Sequence, residues 1–225
     1  MNGLWGDGAF RDPAWFARAG LLVRPGFLDR ATCARLRDAA ASAPMDKATV
    51  FRGARNGVLA EDVRRTLCSF LPPGDQDAIL HRLRELAPEA AAHFATGIED
   101  IEGPQLLVYR RGDFFRPHQD TATAPDTPSF IRRRRIAVVV FLNAQAPRPR
   151  PGDHCGGALL FYRLAPDDPD TWRVGLRPEE GLLVAFRADV LHEVLPVLDG
   201  ERYSMVAWLS AGEDSPAPAP DGPAP

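Results

Sequence analysis

The spacing of hydrophobic residues changes near Gly103 and separates two kinds of predicted secondary structure. Before it, apolar residues recur every three or four positions in two stretches, which begin at Asp29 and Asp75. This spacing places apolar side chains on one face of a helix. We therefore predict two amphipathic helices, the first ended by Pro44 and the second continuing to Phe94.

After Gly103, short runs rich in β-branched and aromatic residues alternate with turn residues, which predicts strands. The runs are QLLVYRR, RIAVVVFLN, GALLFYRL, WRVGLRP, GLLVAF, HEVLPVL and YSMVAWLS. Because the helices precede the strands instead of alternating with them, the order favours an α+β fold built on a barrel or sandwich. RIAVVVFLN and GLLVAF are apolar at nearly every position. We therefore expect both faces of these strands to be buried, the outer one beneath the N-terminal helices.

The length and composition are typical of one globular domain: 225 residues, 45% hydrophobic and 25% charged. We assign residues 1–104 to a helical and edge-strand support region and residues 105–211 to the core, the two together forming one domain. Residues 212–225 end in SPAPAPDGPAP and are predicted to be a disordered Pro/Ala tail.

Charge and cysteine usage narrow the possible partners and compartment. The formal net charge of −3 argues against a general nucleic-acid binder, which would be basic. No apolar run is long enough to span a membrane, and the N-terminus lacks the basic and apolar regions of a signal peptide. Cys33, Cys68 and Cys155 have no CxxC spacing, which indicates free thiols in a reducing compartment. We predict a cytoplasmic protein with no nucleic-acid or membrane partner; the sequence leaves the oligomeric state open.

The triplet His118-Gln119-Asp120 is the first candidate for chemistry. On an extended segment, side chains two residues apart point the same way, so His118 and Asp120 can chelate one face of a metal. His192 is the best candidate for a third ligand, and two histidines with one carboxylate form the facial triad of non-haem Fe(II) oxygenases. Each piece alone also fits a blander interpretation: a surface polar triplet, or a buried structural histidine.

The residues that follow His192 favour the metal site. Arg202 comes ten residues later, and strand alternation places Arg202, Ser204, Val206 and Trp208 on one face. A cation and a hydroxyl side by side on that face could bind a carboxylate.

In these segments the chain resembles 2-oxoglutarate- and Fe(II)-dependent dioxygenases of the prolyl 4-hydroxylase-like branch. The matching segments are YRRGDFFRPHQD, GGALLFY and HEVLPVLDGERYSMVAW, which lie between Gln105 and Leu209. The resemblance implies a double-stranded β-helix (jelly roll) fold. It implies Fe(II), 2-oxoglutarate and O2 as cofactors and cosubstrates, with ascorbate as an optional reductant.

The resemblance also implies roles for residues around the triad. Arg202 and Ser204 would bind the far carboxylate of 2-oxoglutarate, and Tyr109 would donate to the same carboxylate. Trp208 would line the cavity near the metal, and Leu107, on the face of Tyr109, would form part of the wall. A tyrosine at this position is almost equally well explained as a core aromatic residue.

The function that follows is hydroxylation of a C–H bond, coupled to conversion of 2-oxoglutarate into succinate and CO2. A prolyl residue of a protein or peptide is the first candidate substrate; a free amino acid or another small molecule is the second. Two further classes stay open, a non-catalytic β-barrel binding module and a cupin-type isomerase or hydrolase. The intact triad together with Arg202 counts against the binding module, and the cupin-type enzyme would not need Arg202 and Ser204.

Two polar segments, 46–62 and 121–134, lack a strong apolar period and are rich in Gly, Pro, Thr or charge. Such segments fit either substrate-binding loops at the mouth of a barrel or solvated connectors. The second segment ends in four consecutive arginines, 132 to 135. Alternation along the following strand would turn one or two of them toward the site entrance.

Overall fold

Two facing β-sheets, with helices packed on the outer side of one of them, form the architecture of the protein. The structure is a computed structural model that describes residues 10–52, 55–164 and 172–212, without the side chains of residues 51, 52, 55 and 56. The predicted Pro/Ala tail, from residue 213 onward, lies outside the described residues.

The major sheet contains seven described strands. In spatial order they are β2 (Leu22–Arg24), β14 (Leu183–Arg187), β10 (Arg134–Phe141), β17 (Arg202–Ser210), β8 (Asp100–Tyr109), β7 (Leu67–Phe70) and β3 (Asp46–Lys47). Every neighbouring pair in this sheet is antiparallel.

The minor sheet contains six described strands. In spatial order they are β1 (Phe10–Arg11), β13 (Arg173–Leu176), β12 (Leu159–Tyr162), β15 (His192–Val194), β9 (Phe114–His118) and β6 (Arg64–Arg65). Two further pairs lie outside these sheets: β4 (Val50–Arg52) with β5 (Arg55–Val58), and β11 (Cys155–Gly156) with β16 (Val197–Asp199).

The described helices are α1 (Pro13–Arg18), α2 (Arg30–Ser42), α3 (Pro73–His93) and α4 (Ser129–Arg133). The two helices predicted from the apolar spacing are α2 and α3. Asp29 caps α2, because its carboxylate accepts a 2.7 Å hydrogen bond from the backbone N–H of Thr32. The chain before Pro44 is already extended at Ala43, so α2 ends where the sequence predicts.

The outer face of the major sheet is covered by α2 and α3. Their apolar stripes join one hydrophobic cluster with alternate residues of the central strands, among them Ile136, Val138 and Val140 of β10. The intervening residues of β10 belong to a second cluster, which fills the space between the two sheets. The prediction that these strands are buried on both faces beneath the N-terminal helices is confirmed, as is the α+β fold class.

Two local predictions differ from the structure. The segment 121–134 contains α4, which buries the side chain of Ile131. HEVLPVL forms two strands in different sheets, since Leu195-Pro196 ends β15 before β16 begins. Residues 46–62 contain the β4–β5 hairpin. None of the described helices is both long and apolar enough to cross a membrane.

The packing of α3 on the sheet generates a stability prediction. Leu83 is fully buried in the outer cluster, so Leu83→Ala should lower the free energy of unfolding by about 2–5 kcal/mol through lost contacts and a residual cavity. Leu59 is 58% exposed, and Leu59→Ala should change it by less than about 0.5 kcal/mol. Urea unfolding of both variants measures the difference; equal destabilisation would contradict the packing of α3.

Candidate active site

Two histidines and one aspartate meet where β9 and β15 pair. His118 and His192 are direct partners in this antiparallel ladder, so the backbone places both imidazoles side by side. Asp120 follows β9 by two residues. Its carboxylate oxygens lie 3.6 Å from His118 Nε2 and 3.7 Å from His192 Nε2. One donor atom from each of the three residues falls within 4.8 Å of the others, which is a suitable arrangement for one metal ion.

Backbone hydrogen bonds fix the orientation of both imidazoles. His118 Nδ1 lies 2.8 Å from the carbonyl of Arg116, and His192 Nδ1 lies 2.9 Å from the carbonyl of Val190. Because a carbonyl can only accept, each Nδ1 carries the proton. In the neutral form of each imidazole, Nε2 then carries the free lone pair, and it lies on the side of Asp120.

The protonation states suit a divalent metal. Burial, with a smaller contribution from His192, lowers the pKa of His118 to about 3, so this imidazole is neutral near pH 7. Burial alone would raise the pKa of the Asp120 carboxyl, but His192, His118 and Arg134 together hold it below its usual value. Two imidazoles and one carboxylate are the donor set of the Fe(II) facial triad, which leaves coordination positions open.

Asp120 is held by contacts with the turn before β15. Its backbone N–H donates to the carbonyl of Ala188 at 2.8 Å, and the neighbouring Gln119 amide donates to the carbonyl of Asp189. These bonds connect the segment after β9 to the segment that precedes His192. The third donor is therefore positioned by the same strand pair as the two histidines.

A buried cation lies on the facing sheet. Arg202 is 1% exposed, and its Nη1 donates to Ser204 Oγ at 2.9 Å. Tyr109 is its cross-strand partner, and the guanidinium carbon lies 5.0 Å from the Tyr109 ring and 5.3 Å from the Phe141 ring. Among the residues that the structure describes, no carboxylate pairs with Arg202.

An isolated buried charge is costly and favours binding of an anion. Burial lowers the pKa of Arg202 to about 10, which still leaves it cationic at neutral pH. Removing a guanidinium from water without a counter-charge costs several kcal/mol, roughly, unless a ligand supplies one. The arrangement therefore can bind a carboxylate at this end of the interior.

One cavity of about 650 Å³ connects these groups. Every candidate residue from the sequence lines it: His118, Asp120, His192, Tyr109, Arg202, Ser204, Leu107 and Trp208. The triad occupies the minor-sheet side, and Arg202 with Ser204 occupies the major-sheet side. The roles proposed for these side chains stay predictions; their common location is a property of the structure.

An ion pair on the cavity wall was not identified from the sequence. Glu102 on β8 pairs with Arg134 on β10, and the Arg134 guanidinium lies 3.7 Å from the centre of the Trp208 ring. Trp208 in turn donates a side-chain hydrogen bond to the Asp120 carboxylate. Alternation along the arginine run indicated that one or two arginines would face the entrance, but nothing in the sequence identified Glu102 as a partner.

A second arginine on the wall was also missed. Arg64 on β6 lies over the Phe115 ring at 4.6 Å, and Phe115 stacks on the His118 imidazole with ring centres 3.4 Å apart. Arg64 has no carboxylate partner within the described part of the chain, and it lines the cavity. Its contacts come from strand pairing between β6 and β9, which residue spacing alone does not predict.

Both polar segments contribute to the cavity wall. From the first come Asp46, Ala48, Thr49 and Val50, and from the second come Thr121, Ala122, Phe130, Ile131 and Arg134. Residues 53 and 54, at the centre of the first segment, lie outside the described residues. Whether the segments bind substrate stays a prediction.

The part of the chain that contains the metal donors and Arg202 is similar to known proteins. Residues 104–210 match the family model of the 2OG-Fe(II) oxygenase superfamily. A PKHD-type hydroxylase from Shewanella baltica is 29% identical over 109 residues, which are 48% of this chain and 42% of that protein. The chain thus spans less than half the length of this curated relative.

Solved structures show the same fold. A Pseudomonas putida prolyl-4-hydroxylase superposes with a TM-score of 0.65 at 24% identity, covering 88% of this chain and 95% of that one. A Trichoplax adhaerens prolyl hydroxylase, in complex with a hypoxia inducible factor oxygen degradation domain peptide fragment, gives 0.63 at 17% identity, covering 88% and 86%. The predicted double-stranded β-helix is confirmed.

The triad geometry generates a prediction about metal binding. His192→Ala removes one of three donors and should abolish tight Fe(II) binding while leaving the circular dichroism spectrum unchanged. His81, on the exposed side of α3, is a matched control, and His81→Ala should bind Fe(II) like the wild type. Anaerobic titration of both variants measures the affinity. Normal Fe(II) binding by His192→Ala would show that the metal ligand is wrongly assigned.

Proposed function

We propose that the protein is a hydroxylase that uses 2-oxoglutarate, Fe(II) and O2, since residues 104–210 match the family model of the 2OG-Fe(II) oxygenase superfamily. One observation carries the proposal: the three metal donors and an unpaired buried arginine line the same cavity from opposite sheets. A cosubstrate with a carboxylate at each end would use both. A cupin-type hydrolase or isomerase needs the metal donors but has no use for Arg202.

His118, Asp120 and His192 would hold Fe(II) through two imidazole nitrogens and one carboxylate oxygen. When bound, Fe(II) with 2-oxoglutarate and O2 supplies oxidative decarboxylation to succinate and CO2, coupled to hydroxylation of a substrate C–H bond. The surroundings of the triad set the charge of two donors. Burial lowers the pKa of His118 and keeps its imidazole neutral, and neighbouring groups lower the pKa of Asp120 and keep its carboxylate anionic.

Arg202, Ser204 and Tyr109 would bind the far carboxylate of 2-oxoglutarate. Ser204 Oγ accepts from Arg202, so its own O–H is free to donate to an anion. The remaining guanidinium N–H groups of Arg202 can donate in parallel to the two carboxylate oxygens. Arg202 and Ser204 are each 1% exposed, and a charged hydrogen bond is stronger in such a water-poor environment.

For the substrate we propose a prolyl residue of a protein or peptide. The similarity in fold to prolyl hydroxylases supports this substrate class. The two polar segments on the cavity wall could contact the residues of a peptide substrate on either side of the oxidised proline. Trp208 lies against Asp120 and would contact a ring held near the metal.

Arg64 supports a second candidate, a free amino acid. Arg202 would be occupied by 2-oxoglutarate and Arg134 is paired with Glu102, whereas Arg64 faces the cavity without a carboxylate partner among the described side chains. An α-carboxylate would complement it; an internal prolyl residue carries none.

We further propose that the protein works in a reducing, cytoplasmic environment. Cys33, Cys68 and Cys155 are all free thiols in the structure. Unpaired cysteines of this kind are usual where thiols are kept reduced.

The test is succinate formation by the Fe(II)-loaded protein with 2-oxoglutarate and ascorbate. Succinate that requires both Fe(II) and 2-oxoglutarate supports the oxygenase, and its absence contradicts it. Proline-containing peptides and free amino acids are then compared by mass for a gain of one oxygen. A gain in blocked peptides favours the prolyl-residue substrate, whereas a gain confined to free amino acids favours the second candidate.

The position of Arg202 generates a quantitative prediction. Arg202→Met should weaken 2-oxoglutarate binding by about 2–5 kcal/mol, roughly thirty-fold to a few thousand-fold in Kd, because a buried charge-assisted contact is lost. Fe(II) affinity should stay unchanged, since Arg202 touches none of the metal donors. Arg30→Met, at a guanidinium with a side-chain exposure of 94%, is the control. Calorimetry on the anaerobic Fe(II) form measures both; unchanged 2-oxoglutarate affinity in Arg202→Met would refute the assignment.

A further inference from the structure

We propose that His154 is a positioning residue for Arg202: its neutral imidazole accepts a hydrogen bond from the Arg202 Nε–H and holds the guanidinium ready for the 2-oxoglutarate carboxylate. The inference rests on the proposed function of Arg202. It concerns a histidine that lines neither the metal centre nor the cavity wall.

Both partners have a buried polar group that nothing else satisfies. His154 is completely buried, and neither of its ring nitrogens has a hydrogen-bond partner within the described residues. Arg202 Nε is likewise buried without a partner, although Nη1 of the same guanidinium donates to Ser204. Unsatisfied buried donors and acceptors are costly and rare, so two in adjacent side chains indicate a shared bond.

Gly157 shows that the two side chains are adjacent. A Cβ built on Gly157 would lie 2.9 Å from Arg202 Cδ and 3.4 Å from His154 Cδ2. Arg202 and His154 therefore flank the space that the missing side chain leaves. Gly157 also has a φ of +65°, which favours glycine, and any larger residue there would push against Arg202.

The ring of His154 can present an acceptor at this position. Turning the imidazole by 180° about its Cβ–Cγ bond exchanges Cδ2 with Nδ1 and leaves the occupied space unchanged. A nitrogen then takes the place of Cδ2, the ring atom that lies beside Gly157 on the side shared with Arg202. The geometry agrees with the charge state, because burial, and then the nearby Arg202 charge, lower the pKa of His154 to about 3. A neutral imidazole has one nitrogen without a proton, and that nitrogen accepts.

With this bond, the N–H donors of Arg202 would point to different partners. Nε donates to His154 behind the guanidinium and Nη1 donates to Ser204, so the remaining N–H groups are left for the ligand. A donor group fixed before binding loses less entropy when the carboxylate arrives. Loss of the His154 acceptor should therefore weaken 2-oxoglutarate binding and leave the metal donors untouched.

Asn and Leu at position 154 form a matched pair, since they have nearly the same shape and only Asn carries an acceptor near the place of Nδ1. In the anaerobic Fe(II) form, His154→Leu should raise the 2-oxoglutarate Kd about tenfold to a hundredfold. His154→Asn should keep most of the affinity. Fe(II) affinity should match the wild type in both. Equal 2-oxoglutarate affinity in the two variants, whether normal or weakened, would overturn the positioning role.

A second measurement does not depend on a folded His154 variant or on 2-oxoglutarate. The ¹⁵N chemical shifts of the His154 ring should show a neutral imidazole whose unprotonated nitrogen is hydrogen-bonded, and this shift should move in Arg202→Met. A shift that is identical in the wild type and Arg202→Met would reject the bond. If the wild type binds no 2-oxoglutarate but the shift does move, the proposed function fails while the His154–Arg202 contact stands.

Discussion

The pairing of β17 with β8 and β10 is the contact on which both the core and the candidate site depend. β17 lies at the centre of the major sheet, and its two faces have different tasks. Met205, Ala207 and Leu209 pack against the helices, whereas Arg202 and Ser204 point into the cavity between the sheets. Because the side chains alternate, a one-residue shift of register in β17 would turn the cation toward the apolar cluster.

The interior between the sheets combines an apolar end with a polar end. Phe16, Phe161 and Phe186 fill one part of it, and the cavity with its charged groups occupies the other. Packing of the apolar end stabilises the fold. Burial of the Arg202 charge without a counter-charge has a free-energy cost that this packing must offset. The ligand that we propose for Arg202 would remove this cost, so 2-oxoglutarate should stabilise the folded protein as well as take part in the reaction.

The metal donors are coupled to the wall through aromatic and charged contacts. Arg134 lies on Trp208 and pairs with Glu102, and Trp208 donates to Asp120. On the opposite side, Phe115 stacks on His118. A substrate that contacts these wall residues would therefore touch the groups that orient the metal donors, which links substrate binding to the geometry of the triad.

The sequence by itself determined the features that depend on local periodicity. Alternation and helical spacing identified α2, α3 and the doubly buried strands, and the H-x-D triplet with the residues after His192 identified the candidate ligands. The tertiary structure decided the contacts that depend on strand register between distant segments. Glu102 meets Arg134, Arg64 reaches the cavity, and His154 lies beside Arg202, because loops bring these residues together across separations that no local pattern records. Side-chain periodicity is a property of a few neighbouring residues, whereas register is set by the packing of the whole sheet.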